Sequence, residues 1–347
     1  MELTVSIRKQ LRDFELNADF SVQDEVFALL GASGCGKSMT LKCIAGIERP
    51  DAGLIRLNGR TLFDSETGID LPPQQRRVGY LFQNYALFPN MTIAENILFG
   101  AVGTEESKRA KMRDSLKRFG LEGLEEAYPA ELSGGQQQRV AFARILSSAA
   151  ELLLLDEPFS ALDSFLRWQM ELELMELLHS YDDAAILVSH DRNEVYRLAG
   201  RIGVMNQGHI EAVNGRDALF HQPQTLAATL LTGCKNVSKA HGEGGCCLLA
   251  EEWDLPLQAA GEVPRGLRYV GMRAHFLEYR QAPGENTFLM EVVQVIEDTF
   301  SYLVMVRRQG STGKLIRWEV DKGFWQSIKG KELYLYFPPE QLILLER

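Results

Sequence analysis

A glycine-rich loop near the start of the sequence most constrains what this chain can fold into. Residues 31–38 read Gly-Ala-Ser-Gly-Cys-Gly-Lys-Ser, which fits the pattern G-x-x-x-x-G-K-[ST]. Glycines let such a backbone curl so that its N–H groups point at phosphate oxygens, and the helix that follows turns its positive N-terminal end towards the same anion. The pattern requires a buried strand before the loop and a helix after it, and residues 26–30 and 38–45 fit these two roles.

The residues of this loop are predicted to hold a nucleotide. Lys37 is expected to reach the β- and γ-phosphates, and the Ser38 hydroxyl is expected to hold Mg²⁺. A chance match is the alternative, because short patterns recur, but the flanking strand and helix argue against it. The nucleotide-binding residues predicted here are Gly31, Ala32, Ser33, Gly34, Cys35, Gly36, Lys37, Ser38 and Met39.

Composition limits the class of protein. The chain has 347 residues, enough for two domains or for one large and one small domain. Its net charge of -10 argues against a general nucleic-acid binder, and we expect no nucleic-acid partner. No apolar run approaches the roughly 18 residues of a membrane span, and residues 1–5 do not resemble a signal peptide. The five cysteines form no C-x-x-C pair, which is typical of reduced thiols in a cytoplasmic protein.

Three apolar runs that read as buried strands are each followed by polar side chains. The runs are residues 78–82, 152–155 and 185–188, and the side chains that follow them are Gln83, Asp156 with Glu157, and His190. Ligands of open α/β sheets bind at the carboxyl ends of the strands, so we expect these side chains to surround the phosphates. Asp156 can reach the Mg²⁺ held by Ser38, and Glu157 can orient and deprotonate a water. A structural role, such as capping a strand, is the alternative.

An aromatic residue also precedes the loop. Phe14 opens the second of two short predicted strands, residues 3–8 and 14–20. It is placed to stack on an adenine ring, with Phe20 as the weaker alternative for that role. Packing within the sheet is the other interpretation of Phe14.

Two consecutive glycines lie at the start of another predicted helix. Residues 132–139 read Leu-Ser-Gly-Gly-Gln-Gln-Gln-Arg, in which Ser133 and Gln136 form a capping-box pattern. Two glycines at a helix start are costly unless the backbone must approach something closely. The segment is therefore either an ordinary helix start or a second phosphate site made of exposed N–H groups.

These elements, in this order, closely resemble the ATP-binding subunit of ABC transporters. The resemblance covers roughly residues 1–230 and its LSGGQ signature marks this superfamily among phosphate-loop proteins. The Walker A loop corresponds to residues 31–38, the Q-loop glutamine to Gln83 and the signature to residues 132–136. Walker B and its catalytic glutamate correspond to residues 152–156 and Glu157. The D-loop corresponds to residues 160–163 and the switch histidine to His190. Phe14 falls where the family's adenine-stacking aromatic lies.

The resemblance implies a fold and a dimer. The fold is an α/β P-loop NTPase, an ABC ATPase domain over residues 1–234 with a helical subdomain at about 84–150. Two copies of the chain would pair head to tail and enclose two ATP molecules, so that Ser133, Gly135 and Gln136 of one copy bind the nucleotide held by the other. The positive N-terminal ends of the helices at the Walker A loop and at the signature both favour the negative charge of the γ-phosphate. ATP would therefore hold the dimer together, and hydrolysis would release it.

The resemblance also implies catalytic and metal-binding roles. The implied catalytic residues are Lys37, Gln83, Glu157 and His190, and the implied Mg²⁺ ligands are Ser38, Gln83 and Asp156. Glu157 would act as general base, and His190 would contact the γ-phosphate and hold the attacking water in line. Gln83 would link the metal site to the loop that follows it.

A membrane partner is implied as well. In the family, the groove near residues 83–89 receives a cytoplasmic helix of the membrane permease. Tyr85, Leu87 and Phe88 are the predicted contacts, and a buried hinge of the helical subdomain is the alternative for these aromatic and aliphatic side chains. The chain would then be a peripheral subunit at the cytoplasmic face of the cell membrane, and a solute-binding protein would be an indirect partner.

After about residue 235 the sequence changes to short β runs separated by glycine-rich turns. These runs are residues 268–272, 287–296, 302–307, 314–320 and 332–337. They predict a small β-barrel, or OB-like domain, over residues 235–347. This stretch lacks the interleaved basic and aromatic residues of an oligonucleotide-binding surface.

This C-terminal part resembles the TOBE-type regulatory module of importer ATPases, in the variant found in molybdate importers. Those modules are similar to proteins that bind oxyanions, so an oxyanion at Lys235, Ser238 and Arg273 is one expectation. A structural domain that stabilises the ATPase dimer is the alternative. The segments that carry the molybdate resemblance are residues 233–237, 271–275 and 292–299.

The expected function is therefore an ATPase that powers an ABC importer. Molybdate is the favoured solute, and sulfate, tungstate, iron or a sugar are the alternatives. A soluble ABC ATPase acting on DNA or ribosomes is one alternative. Such proteins usually carry coiled-coil insertions, zinc motifs or tandem nucleotide domains, and this sequence has none of them. A further alternative treats the C-terminal part as an oxyanion sensor that gates the ATPase.

Overall fold

The chain divides into two compact units, Met1–Arg216 and Asp217–Arg347. Residues 217–234, which we assigned to the first domain from the sequence, belong to the second unit, because Leu226 and Cys234 pack with its last strand. The separate roles assigned to the two parts stay predictions. The computed structural model describes residues 1–148, 150–160, 162–179 and 184–346.

The first unit is a large sheet flanked by helices. Its strands are β1 (Glu2–Gln10), β2 (Glu15–Gln23), β3 (Val26–Leu30), β4 (Ala52–Leu57), β5 (Arg60–Asp64), β6 (Ile69–Asp70), β7 (Val78–Leu81), β8 (Leu152–Asp156), β9 (Ala184–Ser189), β10 (Arg201–Asn206) and β11 (His209–Gly215). Its helices are α1 (Lys37–Ala45), α2 (Pro73–Arg76), α3 (Ile93–Gly100), α4 (Glu105–Arg118), α5 (Gly134–Ser147), α6 (Ser164–His179) and α7 (Arg192–Leu198). The sheet with helices around it agrees with the predicted α/β class.

The order of the strands brings distant parts of the sequence together. The sheet runs β6-β5-β4-β1-β2-β11-β10-β3-β9-β8-β7. From β10 to β7 all neighbouring strands are parallel, and β8 and β9 are buried along their whole length. Continuous apolar runs suit strands that are covered on both faces. The carboxyl ends of β3, β7, β8 and β9 therefore meet at one edge of the sheet, as predicted.

Local sequence signals set several element boundaries. Asn58 and Gly59 have φ angles of 51° and 75° and form the tight Asn-Gly turn that connects β4 to β5. The capping box predicted at Ser133 is confirmed, since its hydroxyl accepts from the Gln136 N–H while the Gln136 side chain accepts from the Ser133 N–H. Helix α4 buries only Leu116 within its span, in agreement with a solvated helix.

The second unit is built from two five-stranded sheets and three short helices. Its helices are α8 (Arg216–His221, which begins at the last residue of the first unit), α9 (Leu226–Leu231) and α10 (Lys322–Ile328). Its strands are β12 (Asn236–Gly244), β13 (Cys247–Ala250), β14 (Leu255–Gln258), β15 (Tyr269–Met272), β16 (Glu278–Arg280), β17 (Thr287–Glu297), β18 (Ser301–Arg308), β19 (Ile316–Asp321), β20 (Leu333–Tyr336) and β21 (Ile343–Leu345).

All five predicted C-terminal runs contain strands, but the identity of the module stays a prediction. One sheet has the order β14-β13-β12-β15-β21 and the other has the order β16-β20-β17-β18-β19. The larger apolar cluster of this unit includes Trp253, Trp318 and Phe337, and a small second cluster lies around Cys234 and Ile343. No described helix of the chain is long and apolar enough to cross a membrane.

Candidate functional site

The phosphate loop connects β3 to α1 and needs its glycines for two reasons. A side chain on Gly31 would place its Cβ 2.4 Å from the carbonyl oxygen of Met205. Gly34 and Gly36 adopt φ angles of 81° and 112°, which side-chain-bearing residues rarely adopt. Lys37 is buried, and its ammonium group donates to the carbonyl oxygens of Gly31 at 2.9 Å and Ala32 at 3.0 Å. The loop thus closes around a cation, which suits an anionic ligand.

Burial also affects the thiol inside this loop. Cys35 is buried, and desolvation raises the pKa of its thiol despite the nearby Lys37 ammonium. Its Sγ lies 3.9 Å from the Lys37 Nζ. Cys35 therefore sits in the loop as a neutral thiol, and its contribution to phosphate binding is left to its backbone N–H.

Strand order brings two of the three predicted metal ligands into contact. The Ser38 hydroxyl at the start of α1 donates to Asp156 Oδ1 at 2.6 Å, although 118 positions separate the two residues. The second carboxylate oxygen of Asp156 accepts from the Tyr80 hydroxyl at 2.7 Å. Both oxygens of the buried Asp156 carboxylate are therefore held by hydroxyl groups from neighbouring elements.

Tyr80 is the site residue that the sequence analysis missed. Its backbone is paired with Leu154 in the parallel β7–β8 ladder, which directs its hydroxyl towards the end of β8. Burial, together with the adjacent Asp156 carboxylate, raises the pKa of Tyr80 well above its usual value. The phenol thus remains a hydrogen-bond donor. A polar-tipped aromatic inside an apolar strand is the signal that could have identified it.

The predicted base and switch residues are neighbours. His190 Nδ1 lies 3.4 Å from Glu157 Oε1. Glu157 has a left-handed backbone with φ 46°, and its N–H donates to the carbonyl oxygen of Val188 at 3.0 Å. Such backbone conformations in residues other than glycine cluster at functional sites. A carboxylate beside an imidazole, directly after the Asp156 strand end, can bind and polarise a water.

Gln83 differs from the other strand-end residues. It lies in the turn after β7, its side chain is exposed, and none of the hydrogen bonds between described residues joins it to Ser38 or Asp156. Its predicted metal and catalytic roles therefore stay predictions. The turn itself is tight, since Tyr85 and Ala86 have φ angles of 60° and 43°.

The loop after Gln83 is fixed by hydrogen bonds from a residue of helix α5. Arg144 donates to the carbonyl oxygens of Tyr85 at 2.9 Å and Ala86 at 2.7 Å, and its guanidinium lies over the Phe88 ring. Tyr85 is only 5% exposed, so this residue fits the hinge alternative rather than the predicted permease contact. Phe88 packs edge-to-face on Phe99 of α3, which is 65% exposed and lies on the outer surface.

The signature segment is a helix start with open space in front of it. A Cβ on Gly135 would meet no atom of the described residues within 4 Å, so crowding by those residues does not explain its lack of a side chain. No hydrogen bond between described residues joins residues 133–136 to the phosphate loop. In the D-loop, Ser160 donates through its hydroxyl to the Glu157 carbonyl oxygen at 3.0 Å, and Ala161 lies outside the described residues.

Phe14 and Phe20 have different environments. The Phe14 ring lies beside the phosphate loop, where a Cβ on Gly36 would be 3.6 Å from Phe14 Cε2. Phe20 is buried and stacks on Phe27, with ring centroids 5.2 Å apart, so it is unsuited to an adenine ring. The stacking role of Phe14 stays a prediction.

The three residues suggested for an oxyanion do not form a pocket. Arg273 donates to the carbonyl oxygen of Thr232 at 2.9 Å, and the Ser238 hydroxyl donates to the carbonyl oxygen of Lys239 at 2.8 Å, while Lys235 points into solvent. The first two side chains are committed to structural hydrogen bonds. A surface cleft of about 710 Å³ passes Arg273, but Glu340 and Glu346 also line it and disfavour an anion.

The residues of the first unit fit Mg²⁺ by the chemistry of their donors. Ser38 and Asp156 present hard oxygen atoms, the type that Mg²⁺ prefers, and proteins usually leave its other positions to phosphate and water. The described residues contain no group of three or more His, Cys, Asp or Glu that would form a metal cage. A site with few protein ligands and a phosphate loop beside it is what a metal–nucleotide complex needs.

A fold with this loop and this strand edge defines an ATP-binding P-loop protein. The matching family model is described as ABC transporter and covers residues 16–160. Sulfate/thiosulfate import ATP-binding protein CysA 2 of Chromobacterium violaceum is 36% identical over 304 residues, covering 85% of this chain and 80% of that protein. The chain belongs to the ABC transporter family, among ATP-binding subunits of the import type.

Relatives with other named cargoes match over a shorter stretch. Spermidine/putrescine import ATP-binding protein PotA of Nitratidesulfovibrio vulgaris is 40% identical, over 66% of this chain and 63% of that protein. Fe(3+) ions import ATP-binding protein FbpC 2 of Pectobacterium atrosepticum is 43% identical, over 64% of each. These two matches span slightly less than two thirds of each relative.

Solved structures of a dimeric cassette share the fold. The ATP-binding cassette MJ0796, in a dimeric post-hydrolysis state bound to ADP and Pi, aligns with a TM-score of 0.53 and 26% identity. That alignment covers 62% of this chain and 99% of the cassette. Another dimeric structure of MJ0796, a bacterial ABC transporter cassette, aligns with a TM-score of 0.53 and 27% identity.

Proposed function

We propose that this chain hydrolyses ATP to power an importer in the cytoplasmic membrane. One observation carries the proposal: Ser38 of the phosphate loop and Asp156 at the end of β8 meet at 2.6 Å, with Glu157 next in the chain and His190 3.4 Å from it. Loop, metal ligands and base thus surround one point, as phosphoryl transfer to water requires.

Each residue has a distinct task in this proposal. Lys37 neutralises phosphate charge from inside the loop, and the backbone N–H groups of residues 31–38 orient the phosphates. Mg²⁺, when bound at Ser38 and Asp156, neutralises charge on the phosphate oxygens. Glu157 accepts a proton from the attacking water, and His190 holds that water and the Glu157 carboxylate in line.

The Glu157 role is tested by replacing this residue with glutamine. Glu157→Gln keeps the size of the side chain but cannot accept a proton, so hydrolysis should fall by at least about 10²-fold while ATP binding is retained. Steady-state phosphate release and ATP binding to the purified chain measure the two quantities. Glu151→Gln, which alters a surface carboxylate at the opposite end of β8, is the control and should stay near wild-type activity. Normal hydrolysis by Glu157→Gln would remove this residue from the base role.

The active assembly proposed is a head-to-tail dimer of this chain. The open space in front of Gly135 and the capped helix start at Ser133 support a contact with the nucleotide of a second copy. The similar cassette MJ0796 has been solved as a dimer in two structures. In this arrangement ATP binding brings the copies together and hydrolysis separates them, which provides the movement that a membrane partner can use.

The membrane partner is proposed to dock beside the loop that follows Gln83. Leu87 and Phe88 are partly exposed there, and Phe99 adds an exposed ring. Exposed aromatic side chains on a rigid base are typical anchors of protein interfaces. The hydrogen bonds from Arg144 to the loop carbonyls supply that rigid base.

A charge placed on this surface tests the docking site. Phe99→Glu should reduce the amount of permease that co-purifies with the tagged chain from detergent-solubilised membranes by about tenfold, the scale of a lost interface anchor. Ile47→Glu changes a comparably apolar exposed residue outside this surface and should retain the permease. Equal recovery with both variants would exclude this surface as the docking site.

The cargo is proposed to be a tetrahedral oxyanion. Molybdate is supported by the resemblance of residues 233–237, 271–275 and 292–299 to molybdate-importer modules. Sulfate or thiosulfate is supported by the relative whose match extends over 85% of this chain, into the C-terminal unit. Mass spectrometry of the co-purified permease, followed by ATPase assays of the complex with each anion and its binding protein, distinguishes these candidates. Stimulation by a polyamine or ferric iron instead would overturn the oxyanion assignment.

A further inference from the structure

Two adjacent cysteines lie at the turn between β12 and β13. Cys246 is the last residue of the turn, and Cys247 is the first residue of β13. Both are half-buried, whereas the other three cysteines, Cys35, Cys43 and Cys234, are buried. The proposed ATPase chemistry uses neither member of the pair. Thiols that solvent can reach are available for reaction, whereas buried thiols are inert.

The pairing of β13 with β14 directs both thiols to one side of the sheet. Cys247 lies opposite Gln258 of β14, and residues directly opposite each other in an antiparallel pair project from the same face. The Cys246 thiol donates to Oε1 of the same Gln258 side chain at 3.9 Å. Successive residues within a strand point to opposite faces, but Cys246 lies in the turn and is free of this alternation. The two sulfur atoms therefore lie together beside Gln258.

The backbone around the two thiols is held from the neighbouring segments. The Cys246 carbonyl oxygen accepts from the Ala259 N–H at 2.8 Å, and the Gly245 carbonyl oxygen accepts from the Val263 N–H at 2.9 Å. The Asn286 side chain in turn accepts from the Gln258 N–H and donates to its carbonyl oxygen, at 2.8 Å each. Because these bonds fix the turn and its partner strand, the thiols are kept together before any ligand binds, which lowers the entropic cost of binding.

Neighbouring cysteines are poorly placed to form a disulfide with each other. Consecutive Cα atoms are about 3.8 Å apart. The Cα atoms of disulfide-bonded cysteines are usually about 4.4 to 6.8 Å apart, and shorter separations strain the bond. An atom inserted between the two sulfur atoms enlarges the ring and relieves this constraint. The pair is therefore better suited to a bridging atom than to oxidation.

The surroundings restrict which bridging atom fits. Within the described part of the chain, no further His, Cys, Asp or Glu joins the two thiols in a metal-binding group, so a closed tetrahedral metal site is disfavoured. Desolvation, the Cys246 thiol and the Glu243 and Glu285 carboxylates raise the pKa of the Cys247 thiol. The pair is thus neutral in an acidic setting that repels anions. A fitting ligand is uncharged, binds sulfur strongly and needs two thiols.

We propose that Cys246 and Cys247 form a binding site for trivalent arsenic, taken up as uncharged arsenous acid. Each thiol gives its proton to one hydroxide of arsenic, two As–O bonds break, two As–S bonds form, and two water molecules leave. Arsenic stays trivalent and keeps its third hydroxide, so the step needs neither an oxidant nor a reductant. The Gln258 amide, released by the Cys246 thiol, is then available to that hydroxide. This site does not depend on the proposed ATPase function.

The first test titrates the full-length chain with sodium arsenite. The number of reactive thiols is followed with a chromogenic thiol reagent without denaturant, and the bound arsenic is followed by native mass spectrometry. The wild-type chain should bind one arsenic atom and lose the reactivity of Cys246 and Cys247 together. Cys246→Ser and Cys247→Ser should each weaken binding by at least about 100-fold, because only one As–S bond can then form.

Cys43→Ala is the matched control, since it removes a buried thiol of the first unit and should leave arsenite binding unchanged. A wild-type chain that binds no arsenite, or single serine variants that bind it as tightly as the wild type, would overturn the proposal. Tighter binding of Cd²⁺ than of arsenite would reassign the pair to a metal site. A disulfide between Cys246 and Cys247 after mild treatment with hydrogen peroxide would reassign it to a redox switch. Either result would also overturn the proposal.

A second test asks whether the fold contributes to the site, because the two cysteines are adjacent in the unfolded chain as well. Arsenite affinity is measured in buffer and in urea at a concentration that unfolds the chain. A synthetic peptide of residues 243–249, measured in both solvents, corrects for the direct effect of urea. After this correction the folded chain should bind about tenfold more tightly, since its thiols are already held together. Equal affinities would show that the turn does not preorganise the pair and would refute the structural basis of the site.

Discussion

At the scale of single residues, the Asp156 carboxylate is the best-defined feature of the site. Its two oxygens accept from Ser38 and from Tyr80 at 2.6 and 2.7 Å. The Ser38 hydroxyl belongs to the phosphate loop, whereas the Tyr80 hydroxyl belongs to strand β7. We therefore propose that Tyr80 is a positioning residue that fixes the rotation of the carboxylate proposed to hold Mg²⁺.

Tyr80→Phe tests this role without changing the packing of the ring. Hydrogen bonds to a ligating carboxylate orient it, and their loss typically weakens metal affinity or activity by about 10- to 100-fold. We therefore expect the Mg²⁺ concentration for half-maximal hydrolysis to rise by about 10-fold, while ATP binding measured in EDTA stays unchanged. Binding of Mn²⁺ in the presence of ATP, followed by electron paramagnetic resonance, reads out the metal directly. An unchanged Mg²⁺ dependence would restrict Tyr80 to packing.

Residues that belong to phosphate-binding motifs could be predicted from the sequence. Residues that only orient them, such as Tyr80, could not. Lys37, Ser38 and Asp156 stand in patterns whose spacing follows from phosphate geometry. Tyr80 has no such spacing, because its contact with Asp156 depends on which strands become neighbours. For Gln83 the sequence identifies the residue but not its conformation. The conformation of its loop depends on hydrogen bonds from Arg144, which is distant in the sequence.

At the scale of elements, a buried arginine holds the end of helix α1 against the rest of the first unit. Arg76 is fully buried and donates to the carbonyl oxygens of Cys43 and Ile44 at 2.9 Å each, in the last turn of the helix. The Cys43 carbonyl also accepts from the Gly46 N–H at 3.2 Å. The Arg76 guanidinium also pairs with Asp70 at 2.8 Å. Burial lowers the pKa of Arg76 from its usual value. The arginine therefore caps the helix that begins at the phosphate loop.

Arg76→Met should destabilise the first unit by about 2 to 3 kcal/mol, because it removes a buried guanidinium that donates to the helix-end carbonyl groups and to the Asp70 carboxylate. Urea unfolding followed by circular dichroism measures the change. Arg77→Met is a control at the adjacent position, where the side chain is mostly exposed and pairs with Glu151 at the surface. We expect the control to lose no more than about 0.5 kcal/mol. Similar losses from both variants would rule out the capping role.

The same contrast between local and long-range signals explains which elements were predicted. Strands β3, β7, β8 and β9 are continuous apolar runs, so their sequences alone indicate buried parallel strands. Strand β12 is polar at its distal end, and β13 and β14 have only four residues each, so these strands gave little signal. They exist because they pair with one another and with β15, which is a property of the whole unit.

At the scale of the whole molecule, the chain carries the parts of two half-sites. The Walker A loop, Asp156 and Glu157 meet in the first unit, whereas residues 133–136 form no hydrogen bond to that loop among the described residues. In the head-to-tail dimer proposed above, a second copy would complete the site. Reciprocal defects in two different chains can test this directly, since they combine only in a shared dimer.

The test mixes a chain carrying Lys37→Ala with a chain carrying Ser133→Arg. Each variant alone should be inactive, because every site of its homodimer lacks either the loop lysine or the signature serine. In a mixed dimer, one site combines both defects and the other combines the intact loop of one chain with the intact signature of its partner. With random pairing and independent sites, about a quarter of wild-type hydrolysis should return on mixing. The control is the same experiment with Lys37→Ala and Glu157→Gln, whose defects occupy opposite sites of the mixed dimer and so leave each site impaired. Recovery in this control pair, or none in the first pair, would mean that the loop and the signature do not meet across a dimer.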